Sequence, residues 1–172
     1  MPKYSKQLLL LPVLLLILCS WGPLFSQEQD QYVTELQSFS RLIGGEWHLD
    51  NTFQVFTWGV GKRSLHAESY AVSEGIPRLV SQGAWFWHPG ENHLKGYFTA
   101  IQMPVALFDY TTRFEGNTMI NDLTAYSEDG SVSNYVETWE FTGSDTFQWT
   151  LYMETGDKSS KLMEGTYRRK SE

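Results

Sequence analysis

The histidines offer the first chemistry that this sequence could perform. The stretch GAWFWHPGENHLKGYF, residues 83–98, places His88 and His93 on either side of the four-residue turn PGEN. In a hairpin the two imidazoles would face each other with β-carbons about 5 Å apart. Glu91 could then add a third ligand for zinc or copper. The alternative is a hairpin with two exposed histidines, and because the turn offers no fourth ligand we predict no metal site.

A second candidate is the alternating run His66, Glu68 and Tyr70, whose side chains share one face of a predicted strand. Facing inward, they could contact the polar head group of a ligand or transfer a proton. Facing outward, they would form a solvated stripe, and the apolar Leu65 on the other face favours this orientation. We keep His66 as the predicted polar contact of a ligand. His66 with Glu68 would serve an alternative function as an isomerase or hydrolase.

Large aromatic side chains suggest a binding cavity. The chain contains 7 tryptophans, 9 tyrosines and 10 phenylalanines, and each large ring buries on the order of 150 to 250 Å². Rings on inward faces could line an apolar cavity for a small ligand, or they could fill the interior and leave no pocket. The predicted strand 63–72 presents alanine and serine on one face, which leaves room and favours a cavity. The predicted ligand-binding residues are Trp58, His66, Trp85, Trp87, Tyr97, Trp139 and Trp149.

Motifs of known enzyme classes are absent from the sequence. There is no Gly-x-Ser-x-Gly elbow, no phosphate-binding loop, no His-Glu-x-x-His and no framework of cysteines and histidines. Carboxylates are plentiful, with 20 Asp and Glu residues, but the sequence does not show which of them converge. We therefore predict no catalytic residue.

The N-terminal segment, residues 1–26, has the layout of a secretory signal peptide. Lys3 and Lys6 precede an apolar run of about 11 residues, Leu8–Leu18, which is short of the roughly 20 residues that a membrane-spanning helix needs. We expect cleavage after Ser26 and export to the periplasm or the outside. Lipid anchoring at Cys19 is the alternative, and the bulky Leu18 before that cysteine argues against it.

The charge and the cysteine content exclude several kinds of partner and of chemistry. Cleavage would remove two lysines and no acidic residue, leaving 11 basic and 20 acidic residues and a net charge of −9. Such a balance argues against nucleic acid and anionic membranes as partners. Cys19 is the only cysteine, so the exported domain would have no disulfide and no catalytic thiolate.

The elements that must position these residues are one helix and a series of strands. Apolar residues recur at spacings of three and four over Asp30–Ile43, which predicts a helix that ends at Gly44 and Gly45. The rest alternates with a period of two between turn residues, which predicts strands. These strands span 46–50, 52–58, 63–72, 79–88, 94–102, 107–115, 118–126, 132–142, 146–154 and 161–169.

Short connections between successive strands permit only antiparallel pairing, and closure of the sheet removes its two exposed edges. The sequence therefore predicts an all-β fold, a single antiparallel up-and-down β-barrel of about ten strands with a short N-terminal helix. The predicted organisation is a signal peptide at 1–26, the helix and its lead-in at 27–45, and the barrel at 46–169.

Two short motifs resemble those of the calycin superfamily. Gly45-Glu46-Trp47 opens the first strand, and Tyr167-Arg168-Arg169 lies near the end of the last. The segment Leu42–Trp47 also resembles the start of nitrobindin-like and uncharacterised bacterial lipocalin-like domains. The resemblance implies that Trp47 closes one end of the barrel, stacked on Arg168 or Arg169, of which we assign Arg168.

Nitrobindins hold haem through a histidine on a late strand, whereas the last histidine here is His93. We therefore predict no haem and no other cofactor. The predicted function is that of an exported barrel that binds a small apolar or amphipathic molecule. The alternatives are the enzyme of the same shape described above, and a structural or partner-binding module.

Overall fold

A computed structural model describes residues 35–101, 103–155 and 158–170 of the chain. The predicted signal peptide at 1–26 and Cys19 lie outside these residues. Ten strands are present, numbered in chain order: β1 Glu46–Leu49, β2 Thr52–Trp58, β3 Ser64–Ser73, β4 Ile76–His88, β5 His93–Ala100, β6 Val105–Glu115, β7 Thr118–Ser127, β8 Val132–Phe141, β9 Thr146–Thr155 and β10 Lys158–Lys170.

The strands form a closed antiparallel barrel. Each strand pairs with its neighbour in the chain, and β1 also pairs with β10, which closes the sheet. The predicted all-β fold, an antiparallel barrel of ten strands, is confirmed. Closure leaves no strand edge open to solvent along the barrel wall, and the inward face of each strand supplies the core.

A short helix covers one end of the barrel. Residues 35–37 are α-helical and continue into the 3-10 helix Ser38–Leu42. The ring of Phe39 lies 5.4 Å from that of Trp85 and 5.1 Å from that of Phe114, centroid to centroid. Among the described residues no helix is long and apolar enough to span a membrane.

Gly45 makes the tight passage from the helix into β1 possible. Its φ of 70° lies in the left-handed region that favours glycine. A β-carbon at this position would lie 2.4 Å from the carbonyl oxygen of Lys170. The helix therefore ends where the two glycines predict, and the chain enters the barrel directly against β10.

Trp47 and Arg169 hold the covered end together. Trp47 is 0% exposed, and its indole N–H donates to the Leu42 carbonyl at 2.9 Å. The guanidinium of Arg169 lies 4.4 Å from the centre of the Trp47 ring. Arg169 also donates to four backbone carbonyls, those of Arg41, Ile43, Gly44 and Ser144.

The assignment of Arg168 as the closure residue is wrong. The register of β1 and β10 pairs Trp47 with Arg169, so both side chains point inward. Side chains alternate along a strand, and Arg168 therefore points outward, where it is exposed. The stacked arginine of the two that the motif offers is Arg169.

The other end of the barrel is open and irregular. The strand register shifts between Ser69 and Tyr70, between Val105 and Leu107, and between Lys161 and Met163. Such bulges bend strands at the rims of barrels. Several apolar side chains are exposed around this end, and they are Ile76, Leu79, Ile101, Met103, Val132, Leu162 and Met163.

Candidate functional site

The interior contains a cavity of about 460 Å³ that reaches the open end. Met103, Leu162 and Met163 line its mouth and are between 46% and 58% exposed. Deeper in the barrel the lining is largely aromatic, and its rings are Trp85, Phe98, Phe108, Tyr110, Trp139 and Trp149.

Small side chains on β3 to β5 make room for this cavity. Ala67 and Ser69 point inward from β3, where the sequence predicts a small-residue face, and Ser81 and Ala100 line the same side. Gly83 of β4 lies between Ala67 of β3 and Phe98 of β5. A β-carbon at Gly83 would approach the Phe98 ring to 2.5 Å. The aromatic rings on the far wall therefore face space that larger side chains on β3 to β5 would have filled.

Three predicted ligand-binding residues, Trp85, Trp139 and Trp149, line the cavity. Trp85 and Trp87 are both buried and point inward from β4, as the alternation predicts. Trp87 and Trp58, however, lie on the inner face toward the covered end and do not line this cavity. The alternation along a strand predicts whether a side chain points inward or outward. It does not predict how far along the barrel axis that side chain lies.

The structure does not bring Tyr97 or His66 to the cavity. Tyr97 is 50% exposed on the outer face of β5, because its neighbours Gly96 and Phe98 take the inner one. The His66 imidazole lies on the outer face of β3, 3.0 Å from the Ser64 hydroxyl. Glu68 shares that outer face and accepts a hydrogen bond from Tyr70 at 2.7 Å.

The histidine hairpin also lies outside the cavity. His88 pairs with His93 across β4 and β5, and the Nδ1 of His88 accepts from the Glu91 backbone N–H at 3.1 Å. The Glu91 carboxylate is 3.6 Å from the His88 Nε2. In the part of the chain that the structure describes, no three or more His, Cys, Asp or Glu side chains gather into a metal site.

A polar network that was not predicted crosses the cavity wall at Glu137. The Thr112 hydroxyl donates to the Asn121 side-chain oxygen at 2.6 Å, and the Asn121 amide donates to Glu137 at 2.7 Å. The indole N–H of Trp149 donates to the other carboxylate oxygen at 2.5 Å. Glu137 is 8% exposed and Asn121 fully buried. Adjacent strands β6, β7 and β8 each supply one member, aligned by register.

Burial raises the pKa of the Glu137 carboxyl above its ordinary value. The hydrogen bonds from Trp149 and Asn121, and the nearby N–H of Trp139, favour the ionised form and offset part of this rise. None of the described lysines, arginines or histidines forms an ion pair with Glu137. Glu137 thus lies inside an apolar cavity, and the part of the chain that the structure describes pairs it with no positive charge.

Other buried polar atoms around the cavity have no hydrogen-bond partner among the described residues. They are the side-chain oxygen of Gln54 and the indole nitrogens of Trp85 and Trp139. Buried polar atoms in folded proteins are nearly always satisfied by protein or water. The Gln54 oxygen and the Trp85 nitrogen are available to water or to a ligand, whereas the Trp139 N–H lies near enough to Glu137 to favour its ionised form.

Replacement of Glu137 by glutamine is expected to stabilise the protein at neutral pH. Because the pKa of Glu137 is raised in the folded state, folding disfavours the ionised carboxylate. The contribution of Glu137 to stability is therefore greatest below the pKa of the unfolded state. It is lost as the pH rises through the raised pKa of the folded state. The difference in unfolding free energy between E137Q and wild type, from denaturant titrations, should be largest at about pH 7 and shrink toward about pH 4.

The variant can keep the network, because the Asn121 amide can turn over and the Thr112 hydroxyl can reverse. Among the described residues, the phenols of Tyr110 and Tyr167 are the titratable side chains whose pKa depends on the charge of Glu137. Phenols ordinarily ionise only near pH 10, and burial and the charge of Glu137 raise the pKa of Tyr110 and Tyr167. A stability difference that does not change with pH would contradict the assignment of the titration to Glu137.

Comparison with known proteins adds no family to this geometry. No family model matches the sequence, and a search of curated proteins finds none that is significantly similar.

Proposed function

We propose that this barrel binds a small apolar or amphipathic molecule in its cavity. The observation that carries the proposal is the aromatic cavity of about 460 Å³ with an open mouth. Pockets for small ligands span roughly 300 to 1,000 Å³, with a mostly apolar lining and a few polar groups that orient the ligand. Here the apolar area comes from rings such as Trp85 and Trp139, and the polar group is Glu137.

A relationship to the calycins belongs to the same proposal. It is supported by the closed antiparallel barrel and by Trp47 stacked under Arg169 at the covered end. Haem is not part of the proposal. None of the four histidines His48, His66, His88 and His93 lines the cavity.

Export is proposed from the basic and apolar N-terminal segment, residues 1–26. A carrier outside the cytoplasm would meet ligands directly from its surroundings. The exposed apolar side chains at the mouth, such as Met103 and Met163, would offer such a ligand its first contacts.

The proposal predicts saturable binding of N-phenylnaphthylamine, a neutral fluorescent probe. Binding should raise the probe's fluorescence and quench tryptophan emission, because Trp85, Trp139 and Trp149 line the cavity. Ala100→Trp adds a ring on the inner wall and is expected to weaken binding by about tenfold or more, since it occupies the ligand's space.

The matched control is Thr99→Trp, which adds the same ring to the outer face of β5 at the adjacent position. It should leave the dissociation constant within about twofold of wild type. Equal weakening by both variants, or a wild type with no saturable binding, would contradict binding in this cavity.

A further inference from the structure

Glu137 is a buried carboxyl group without a charged partner among the described residues, and it lies on the inner wall of an apolar cavity. It points inward from β8 between Tyr135 and Trp139, and all three residues line the cavity. Its carboxylate makes no ion pair with a described lysine, arginine or histidine. A buried charge without a partner destabilises a protein, and such charges are ordinarily paired or neutralised.

The network around Glu137 supports the ionised carboxylate. Trp149 and Asn121 each donate one N–H to it, one to each oxygen. Thr112 in turn donates to the Asn121 oxygen, which fixes the Asn121 amide with its N–H groups toward Glu137. An ionised carboxylate has about four acceptor positions, so Trp149 and Asn121, even with the Trp139 N–H nearby, leave room for a further donor.

Other groups that line the cavity are also suited to a cation. Gln54 lines the same cavity, and its buried side-chain oxygen accepts no hydrogen bond from the described residues. The rings of Trp139 and Tyr110 stand nearly perpendicular to Trp85, with centroids 6.1 Å from it in both pairs. Ring faces attract cations, and a corner of perpendicular rings presents faces in more than one direction.

The net negative charge of the chain also favours a positively charged ligand. The chain carries a formal net charge of −7 at pH 7, which raises the local concentration of cations and lowers that of anions. Among the described residues, none of those that line the cavity has a basic side chain. A ligand with a carboxylate or phosphate group would therefore meet Glu137 without compensation.

We infer, on the basis of the proposed function, that the cavity selects amphipathic amines, with the protonated amino group of the ligand paired to Glu137 and its apolar body among the tryptophans. The ammonium group donates to the Glu137 carboxylate. The ligand thus supplies the positive charge that the cavity lacks. Burial raises the pKa of Glu137, and a cation bound beside it would lower that pKa again.

The test compares ligands that differ only in the head group. Octylamine, octanol and octanoate compete with N-phenylnaphthylamine for the wild-type protein at about pH 7.5 and constant ionic strength, where the amine is protonated. Octylamine should bind at least about tenfold more tightly than octanol, as charge-assisted hydrogen bonds are about twice as strong as neutral ones, and octanoate should bind most weakly. Octanol equal to or tighter than octylamine would overturn the inference.

Glu137→Gln removes the charge and keeps the shape of the side chain. In this variant octylamine should lose its advantage over octanol, because the charge that would pair with the amine is gone. The matched control Glu140→Gln removes an exposed charge from the same strand and should retain the amine preference. A retained preference in Glu137→Gln would overturn the inference.

Failure of the inference can be told apart from failure of the proposed function. If the neutral probe binds but octylamine has no advantage over octanol, the cavity binds ligands and only the amine selectivity is refuted. If neither the probe nor any octyl compound binds, the proposed function and the amine selectivity are both refuted. Should Glu137→Gln lose its near-ultraviolet circular dichroism, the wild-type comparison of head groups still decides.

Discussion

Replacing Trp47 by alanine is expected to lower the free energy of unfolding by about 3 to 5 kcal/mol. The indole is fully buried, its centre lies 4.9 Å from that of Phe147, and its N–H donates to the Leu42 carbonyl. Truncation leaves a cavity under the helix, an unpaired carbonyl and an arginine without its ring. Denaturant titration of wild type and variant measures the loss.

Trp47→Phe is the informative control, because it keeps a ring under Arg169 but removes the indole N–H. It should cost less than half as much as the alanine substitution. A loss below roughly 1 kcal/mol for Trp47→Ala would show that the contacts of Trp47 contribute little to closure of the barrel.

Replacing Arg169 by alanine is expected to cost about 2 to 4 kcal/mol, because hydrogen bonds from a charged donor contribute about 1.5 to 3 kcal/mol each and their loss leaves carbonyls unpaired. Arg169 donates to four backbone carbonyls on both sides of the covered end and stacks on Trp47. It also pairs with Asp145 at 3.1 Å. The measurement is again the free energy of unfolding by denaturant.

The chain provides a matched control one residue away. Arg168 has the same side chain and charge on the same strand, but it points outward and is exposed. Arg168→Ala should change the unfolding free energy by no more than about 0.5 kcal/mol. Equal losses at both positions would show that net charge, and not the position of Arg169, determines the effect.

The strands could be predicted from the sequence where one face is buried. In the run 146–154, phenylalanine, tryptophan, leucine and methionine alternate with polar residues, and the observed β9 is Thr146–Thr155. The predicted strand 79–88 misses the first residues of β4, which begins at Ile76. Residues 76–79 are exposed, so no buried face imposed an alternating pattern there.

The cavity was predictable in outline, and its charged group was missed. Tyr135, Glu137, Trp139 and Phe141 share the inner face of β8, so an acidic residue within an aromatic face was the available signal. Sequence reasoning chose cavity residues by their aromatic character and therefore included Tyr97. The hairpin register assigns the inner face to Phe98, opposite Gly83.

The sequence of a single strand could not predict that Thr112, Asn121 and Glu137 lie side by side. It depends on the registers of β6 with β7 and of β7 with β8, which bring three separate positions into one row. Each residue alone is a polar side chain on an otherwise apolar face. Only the pairing of the strands turns the three into a network.

The single seam between β1 and β10 has a consequence for how the chain folds. All other strand pairs join neighbours in sequence, so they can form as local hairpins early in folding. The seam joins Glu46–His48 to Arg168–Lys170, and there Arg169 binds the Ile43 carbonyl across a sequence separation of 126 residues. Closing so long a loop is entropically costly until the hairpins exist. We therefore expect the pairing of the first strand with the last to complete the barrel as the final step. A chain released from synthesis without Arg168–Lys170 would remain an open sheet, with two strand edges ready to pair with other copies.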